Sequence, residues 1–140
     1  MTISTKTVWK DGMYFEGEVD GHVVKIDADQ QFGGKDRGPR PKNLMLVSLG
    51  GCTAMDVVSI LDKMRVKPDE FYVEVTAELT DQHPKVFKWI NVRYYFKGKN
   101  LDRKKISTAV ELSSNKYCGV SAMLRKVCDV NTEIIVEEVV

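Results

Sequence analysis

The sequence predicts an α+β domain in which a sheet wraps a buried helix, and three patterns predict it. Short alternating runs punctuated by Asp-Gly pairs open the chain, one long apolar stretch follows, and strands then alternate with helices to the C-terminus. At 140 residues the chain is one domain, residues 1–140, and is large enough for a real core. An apolar share of 43% with 29% charged residues is that of a globular protein in water. Lys+Arg 21 against Asp+Glu 20 leaves a net charge of +1, so no global field draws the protein to nucleic acid or an anionic membrane.

The elements read in order. Thr7-Val8-Trp9 and Met13–Val19 flank Asp11-Gly12, and Asp20-Gly21 leads into His22–Ile26. Asp-Gly between such runs marks a hairpin in which both turn residues take positive φ, which gives a three-stranded antiparallel meander. The stretch Phe32–Pro41 is too rich in Gly and Pro for regular structure. From Pro41 to Met64 the pattern is helical, with proline suited to the first turn. Leu44, Met45, Leu46, Val47 and Leu49 leave almost no polar face, so this half is expected to be buried all round. Gly50-Gly51 costs a helix roughly 1 kcal/mol each against alanine, which points to close approach by another backbone. Phe71–Leu79 alternates with apolar residues at odd positions, and Ile90, Val92, Tyr94 and Phe96 share one side of a second strand. A helix follows from Asp102 as N-cap through Ser113, a short one begins near Cys118, and Thr132–Glu137 is a last strand. No run approaches a membrane span and Met1–Lys6 lacks the apolar core of a signal peptide, so a cytoplasmic protein is expected.

Chemistry concentrates on the cysteines. Their odd count of three and wide spacing fit neither a zinc ribbon nor a secreted disulfide scaffold. Cys52 falls inside the apolar helix, and Cys118 stands where a later helix begins. A thiol among apolar groups is inert, whereas one at a helix N-terminus has its thiolate stabilised by unpaired N–H groups and the macrodipole. If the fold brings the two sulfurs together, they form a dithiol that reduces a substrate and closes into a disulfide. Cys128 has no such placement and reads as structural. His22 and His83 lie at turns, and scattered sulfur and imidazole make no metal site. The basic residues Lys35, Arg37, Arg40 and Lys42 are either a solvated loop or the cation that lowers a thiol pKa or holds a carboxylate.

The stretch Pro41–Leu61, with Gly50-Gly51-Cys52 and Asp56-Val57-Val58, resembles the helix that carries the peroxide-reactive cysteine of the OsmC/Ohr family of thiol-dependent peroxide reductases. Cys118-Gly119-Val120-Ser121 resembles that family's Cys-Pro-Val-Ser segment with its resolving cysteine. The resemblance covers nearly the whole chain, and the leader Gly33-Gly34 to Pro41 is closer to the OsmC-like branch than to the organic-hydroperoxide branch. It implies an antiparallel sheet around a long buried helix, in an intertwined homodimer with two active sites at the interface. It also implies that Cys52 attacks a peroxide and becomes a sulfenic acid, and that Cys118 condenses with it. An external dithiol, such as a lipoyl group, or a small thiol then reopens the disulfide; no metal or held cofactor is implied.

Two positions depart from the family pattern. Where relatives carry a glutamate that orients an arginine against the thiolate, this chain has Lys42 and Asn43, and the turn resembling Arg-Asp-Gly reads Lys10-Asp11-Gly12. Arg37, Arg40, Lys42 and Lys10 are therefore the candidate thiolate-stabilising cations. The leading expectation is a cysteine-dependent peroxidase of organic hydroperoxides. The alternatives are a small-molecule binding protein on the same scaffold and a thiol–disulfide exchange protein.

Overall fold

A computed structural model describes all 140 residues, Met1–Val140, as two compact units, Met1–Met45 and Leu46–Val140. The first unit carries the expected meander: β1 (Lys6–Asp11), β2 (Tyr14–Val19) and β3 (His22–Ile26), antiparallel in the order β1-β2-β3. Asp20 and Gly21 take φ of 52° and 75° between the paired residues Val19 and His22, which is the two-residue turn that Asp-Gly encodes. The earlier Asp-Gly differs. Only Gly12 has positive φ there, at 50°; the two-residue turn is Gly12-Met13, between the paired Asp11 and Tyr14, and a bulge sits beside it where the register shifts between Trp9 and Asp11. A 3₁₀ turn at Gln30–Phe32 and an irregular loop then lead to α1 (Pro41–Lys63), which begins in this unit and continues in the next.

The second unit holds β4 (Glu70–Leu79), β5 (Phe87–Gly98), α2 (Arg103–Leu112), a π-type turn (Ser113–Tyr117), α3 (Gly119–Leu124) and β6 (Asp129–Glu138). The alternation seen in the sequence sets the register. Phe71, Val73, Val75 and Ala77 stand opposite Phe96, Tyr94, Val92 and Ile90 in an antiparallel pair, and the β5 residues are fully buried. β6 lies on the other edge of β5 and runs parallel to it, so this sheet is mixed rather than antiparallel throughout. A parallel neighbour requires a crossover, and α2 with α3 supplies it. β6 also starts earlier than Thr132, because Asp129 already pairs with Trp89.

Leu49, Thr53, Val57 and Leu61 are the buried stripe of α1. They recur at every fourth residue, on one face of a helix. The apolar members join Ile90, Val92, Tyr94 and Phe96 of β5 and Ile106, Ala109 and Val110 of α2 in one core. The all-round burial expected of the first half of α1 does not occur within one chain, where Val47 is 69% exposed and Met45 45%; farther along, Met55 is 77% and Val58 53% exposed. The helix also meets the length and composition of a membrane span, with 23 residues and a mean hydropathy of 1.9 in its most apolar window. That corrects the expectation that no run approaches a span, although its core stripe is what a domain helix needs. The two glycines behave differently from each other. A Cβ on Gly50 would meet Val75 Cγ2 at 3.4 Å, a side chain rather than a backbone, while one on Gly51 would meet nothing within 4 Å.

Candidate functional site

Ser113 is where the second unit assembles its polar interior. α2 is capped as the sequence indicates, with Asp102 accepting from the N–H groups of Lys104 and Lys105, and it ends one residue before Ser113. The chain does not stop there but widens into a π-type turn, in which the Cys118 N–H bonds the Ser113 carbonyl at 2.8 Å. This bond sets Cys118 as the N-cap residue of α3, with its Sγ accepting the Ser121 N–H at 3.4 Å.

The Ser113 side chain faces α1. Its Oγ lies 2.9 Å from Asp56 Oδ2 and 2.8 Å from Thr53 Oγ1, and Thr53 Oγ1 lies 2.6 Å from the Tyr94 hydroxyl. Each hydroxyl has one proton, so the donations have a single consistent direction when Asp56 is ionised. Tyr94 donates to Thr53, Thr53 to Ser113, and Ser113 to the Asp56 carboxylate. Burial pushes the Tyr94 hydroxyl pKa up, with the Thr53 hydrogen bond working against it, so Tyr94 is a proton donor at neutral pH. Thr53 and Ser113 are buried, and no buried side-chain polar atom lacks a partner.

Cys52 and Asp56 are one helical turn apart on α1 and share a face. Their reactive atoms and Cys118 Sγ all lie within 4.8 Å of one another, with Cys118 buried and the other two half-buried. The two thiols that the sequence singles out are thus brought together, both in the reduced state. Cys128 is outside this group; burial first and Asp129 second raise its thiol pKa. A small pocket, about 160 Å³, opens at Asp56 and is lined also by Ser59, Ile60, Lys63 and Tyr117.

Electrostatics at Cys118 run against its helix-start position. Burial pushes its thiol up to about 11; the Ser121 N–H lowers it, but Cys52 and Asp56 raise it further. One N–H from a short helix does not offset desolvation of an anion. This corrects the expectation of a stabilised thiolate at 118, and it makes Cys52, the half-buried member, the better-placed nucleophile.

The candidate cations lie in the first unit. Arg37 places Nε 3.0 Å from Asp27 Oδ2 and its two terminal nitrogens 3.0 and 2.7 Å from the Asp11 carboxylate. Burial works to raise the Asp27 pKa, but Arg37 and the N–H groups of Ala28, Arg37 and Lys35 outweigh it and hold the carboxyl at about 2. Arg40 sits 2.5 Å from Asp36 and 3.7 Å from Asp29, and Lys10 is 3.7 Å from Glu16. Lys42 stands in the first turn of α1. Asp56 and Ser113 are the polar neighbours that the second unit itself supplies; Asp56 is signalled by following Cys52 by four and by its place in the Asp56-Val57-Val58 stretch. Ser113 lies far away in sequence and is found only by folding.

The Cys118 titration is open to measurement. In a Cys52→Ser/Cys128→Ser variant, alkylation of Cys118 should rise with pH to a midpoint well above 9, toward 11 in the intact pair. A thiol whose pKa is raised by folding stabilises the fold in its neutral form. That contribution is complete below the unfolded value near 9 and is lost as pH climbs through about 11. A midpoint below about 8 would show that the helix start outweighs burial.

Comparison with known proteins agrees with this fold. Residues 33–133 match the family model described as OsmC-like protein. The protein YhfA of Escherichia coli K12 is 34% identical over 129 residues, covering 91% of this chain and 93% of YhfA. A hypothetical protein of Aquifex aeolicus superposes with a TM-score of 0.87 at 24% identity, covering 100% of this chain and 99% of that one. An organic hydroperoxide resistance protein, OsmC, of Legionella pneumophila superposes at 0.71 with 14% identity, covering 96% and 97%. At these identities the two structures speak for the fold, while the family match and YhfA speak for descent. The chain belongs to the OsmC-like family.

Proposed function

We propose that this protein is a cysteine-dependent reductase of organic hydroperoxides, with Cys52 as the nucleophile and Cys118 as the resolving thiol. The observation that carries the reading is the placement of two reduced thiols and one carboxylate within 4.8 Å. The Legionella relative, named for organic hydroperoxide resistance, points the same way. In the first step Cys52 Sγ attacks the terminal peroxide oxygen while its proton passes to Asp56. An S–O bond forms, the O–O bond breaks, and the leaving alkoxide takes the proton from Asp56 as an alcohol. Cys118 Sγ then attacks the Cys52 sulfenic acid, an S–S bond forms, and the hydroxyl leaves with the Cys118 proton as water. An external dithiol reopens the disulfide by two exchanges and is itself oxidised. Asp56 here stands in for the glutamate absent at Lys42 and Asn43, but as a proton carrier rather than as the orienter of an arginine.

Closure to a disulfide needs the sulfurs to approach from within 4.8 Å to about 2.05 Å. Oxidation of the reduced protein with one equivalent of cumene hydroperoxide, in chelator and followed by peptide mass spectrometry, tests the reading. A Cys52–Cys118 disulfide is expected in wild type, a trappable sulfenic acid at Cys52 in Cys118→Ser, and no reaction in Cys52→Ser. Unchanged thiols under excess peroxide would leave the small-molecule binding protein as the better account.

We infer also that the protein is a homodimer through α1. Two apolar grooves, about 410 and 390 Å³, border the exposed face of this helix, one at Leu46, Val47 and Gly51 and the other at Met55 and Val58. Exposed apolar faces of this extent mark association surfaces. Light scattering should return about twice the 15.9 kDa chain mass, and Met55→Glu should shift it toward the monomer. A wild-type monomer at micromolar concentration would contradict the dimer.

A further inference from the structure

We propose that Cys52, Asp56 and Cys118 form a binding site for one divalent, thiophilic metal ion of the zinc class. Metal–sulfur bonds of about 2.3 Å and metal–oxygen bonds of about 2.0–2.2 Å place neighbouring ligand atoms of a tetrahedral site roughly 3.4–3.8 Å apart. The three donor atoms here already lie within 4.8 Å of one another, so small side-chain movements bring them onto one ion. The helix supplies two ligands of fixed spacing, since Cys52 and Asp56 are one turn apart on α1, and Cys118 closes from the start of α3.

The surroundings are those that hold metal ligands in place. Asp56 Oδ2 accepts from Ser113 Oγ at 2.9 Å, which orients the carboxylate from behind. Ser113 is in turn fixed by Thr53 and by its carbonyl bond to the Cys118 N–H. Cys118 Sγ accepts the Ser121 N–H at 3.4 Å, which suits a thiolate as well as a thiol. Two sulfurs and a carboxylate in one half-buried place repel each other as anions, and a divalent cation offsets that repulsion. Binding displaces the thiol protons to solvent, so affinity rises with pH. Three protein ligands leave a fourth position for solvent or a small ligand.

The site uses the same sulfurs as the proposed reduction but does not rest on it, since binding needs only the reduced pair. A bound ion takes up both thiolates, so metal and peroxide compete for them. Metal occupancy would hold the dithiol out of oxidation until a chelating thiol removes the ion.

Cobalt(II) titration of the fully reduced, peroxide-free protein tests the site through its sulfur-to-cobalt charge-transfer absorption. One equivalent per chain is expected, displaced by zinc(II), kept in Cys128→Ser, abolished in Cys52→Ser and in Cys118→Ser, and weakened at least tenfold in Asp56→Asn. Zinc should also protect Cys52 and Cys118 of the wild type, and not Cys128, from alkylation mapped by peptide mass, which needs no variant to fold. Absence of charge transfer under excess cobalt, equal affinity in Asp56→Asn, or a signal that follows Cys128 overturns the proposal. A null cobalt titration beside intact peroxide oxidation removes the metal and leaves the reductase; the reverse pair of results does the opposite.

Discussion

A single buried serine, Ser113, ties together the two elements that carry the reactive groups, α1 and the start of α3. Its carbonyl takes the Cys118 N–H, and its hydroxyl donates to Asp56 while accepting from Thr53. Thr53 is the residue after Cys52, so whatever fixes Thr53 also fixes the helical phase of Cys52. Tyr94 completes the chain from the central strand β5. Every hydroxyl in it donates once and accepts once or is buried as a donor, so breaking one link strands the next; leaving such a group unpaired costs about 1–3 kcal/mol. The site is therefore held by the core itself rather than by loops.

Within the second unit the charged neighbour of the sulfurs is Asp56. Arg37 and Arg40 satisfy aspartates of the first unit, and Arg37 bridges two of them. The group beside the sulfurs is a carboxylate, which opposes a standing thiolate but accepts a proton or helps hold a cation. Burial acts in the same direction on Cys118. Both properties favour a Cys118 thiol that stays neutral until a base, an oxidant or a metal ion engages it.

Much of the fold is legible from sequence where periodicity and local chemistry agree. The alternation of Phe71–Leu79 and of Ile90–Phe96 yields the register, and Asp102 and Asp20-Gly21 mark their cap and turn. The failures share a cause. Whether β6 runs parallel, whether α1 is covered on its outer face, and what lies beside Cys52 are long-range facts that no local pattern carries. Cys118 shows the same limit at one residue, where a favourable local position is outweighed by desolvation. Asp56 and Ser113, separated by 57 positions, become partners only when the π-type turn lets α2 end against α1.

Equilibration in defined mixtures of reduced and oxidised glutathione, without peroxide or metal, measures the juxtaposition on which all of this depends. If Ser113 holds Cys118 against Cys52, one intramolecular disulfide forms between them in a single transition, and Cys128 remains a free thiol until far more oxidising mixtures. Glutathione mixed disulfides on Cys52 and Cys118 separately, with no internal bond at any ratio, would contradict it.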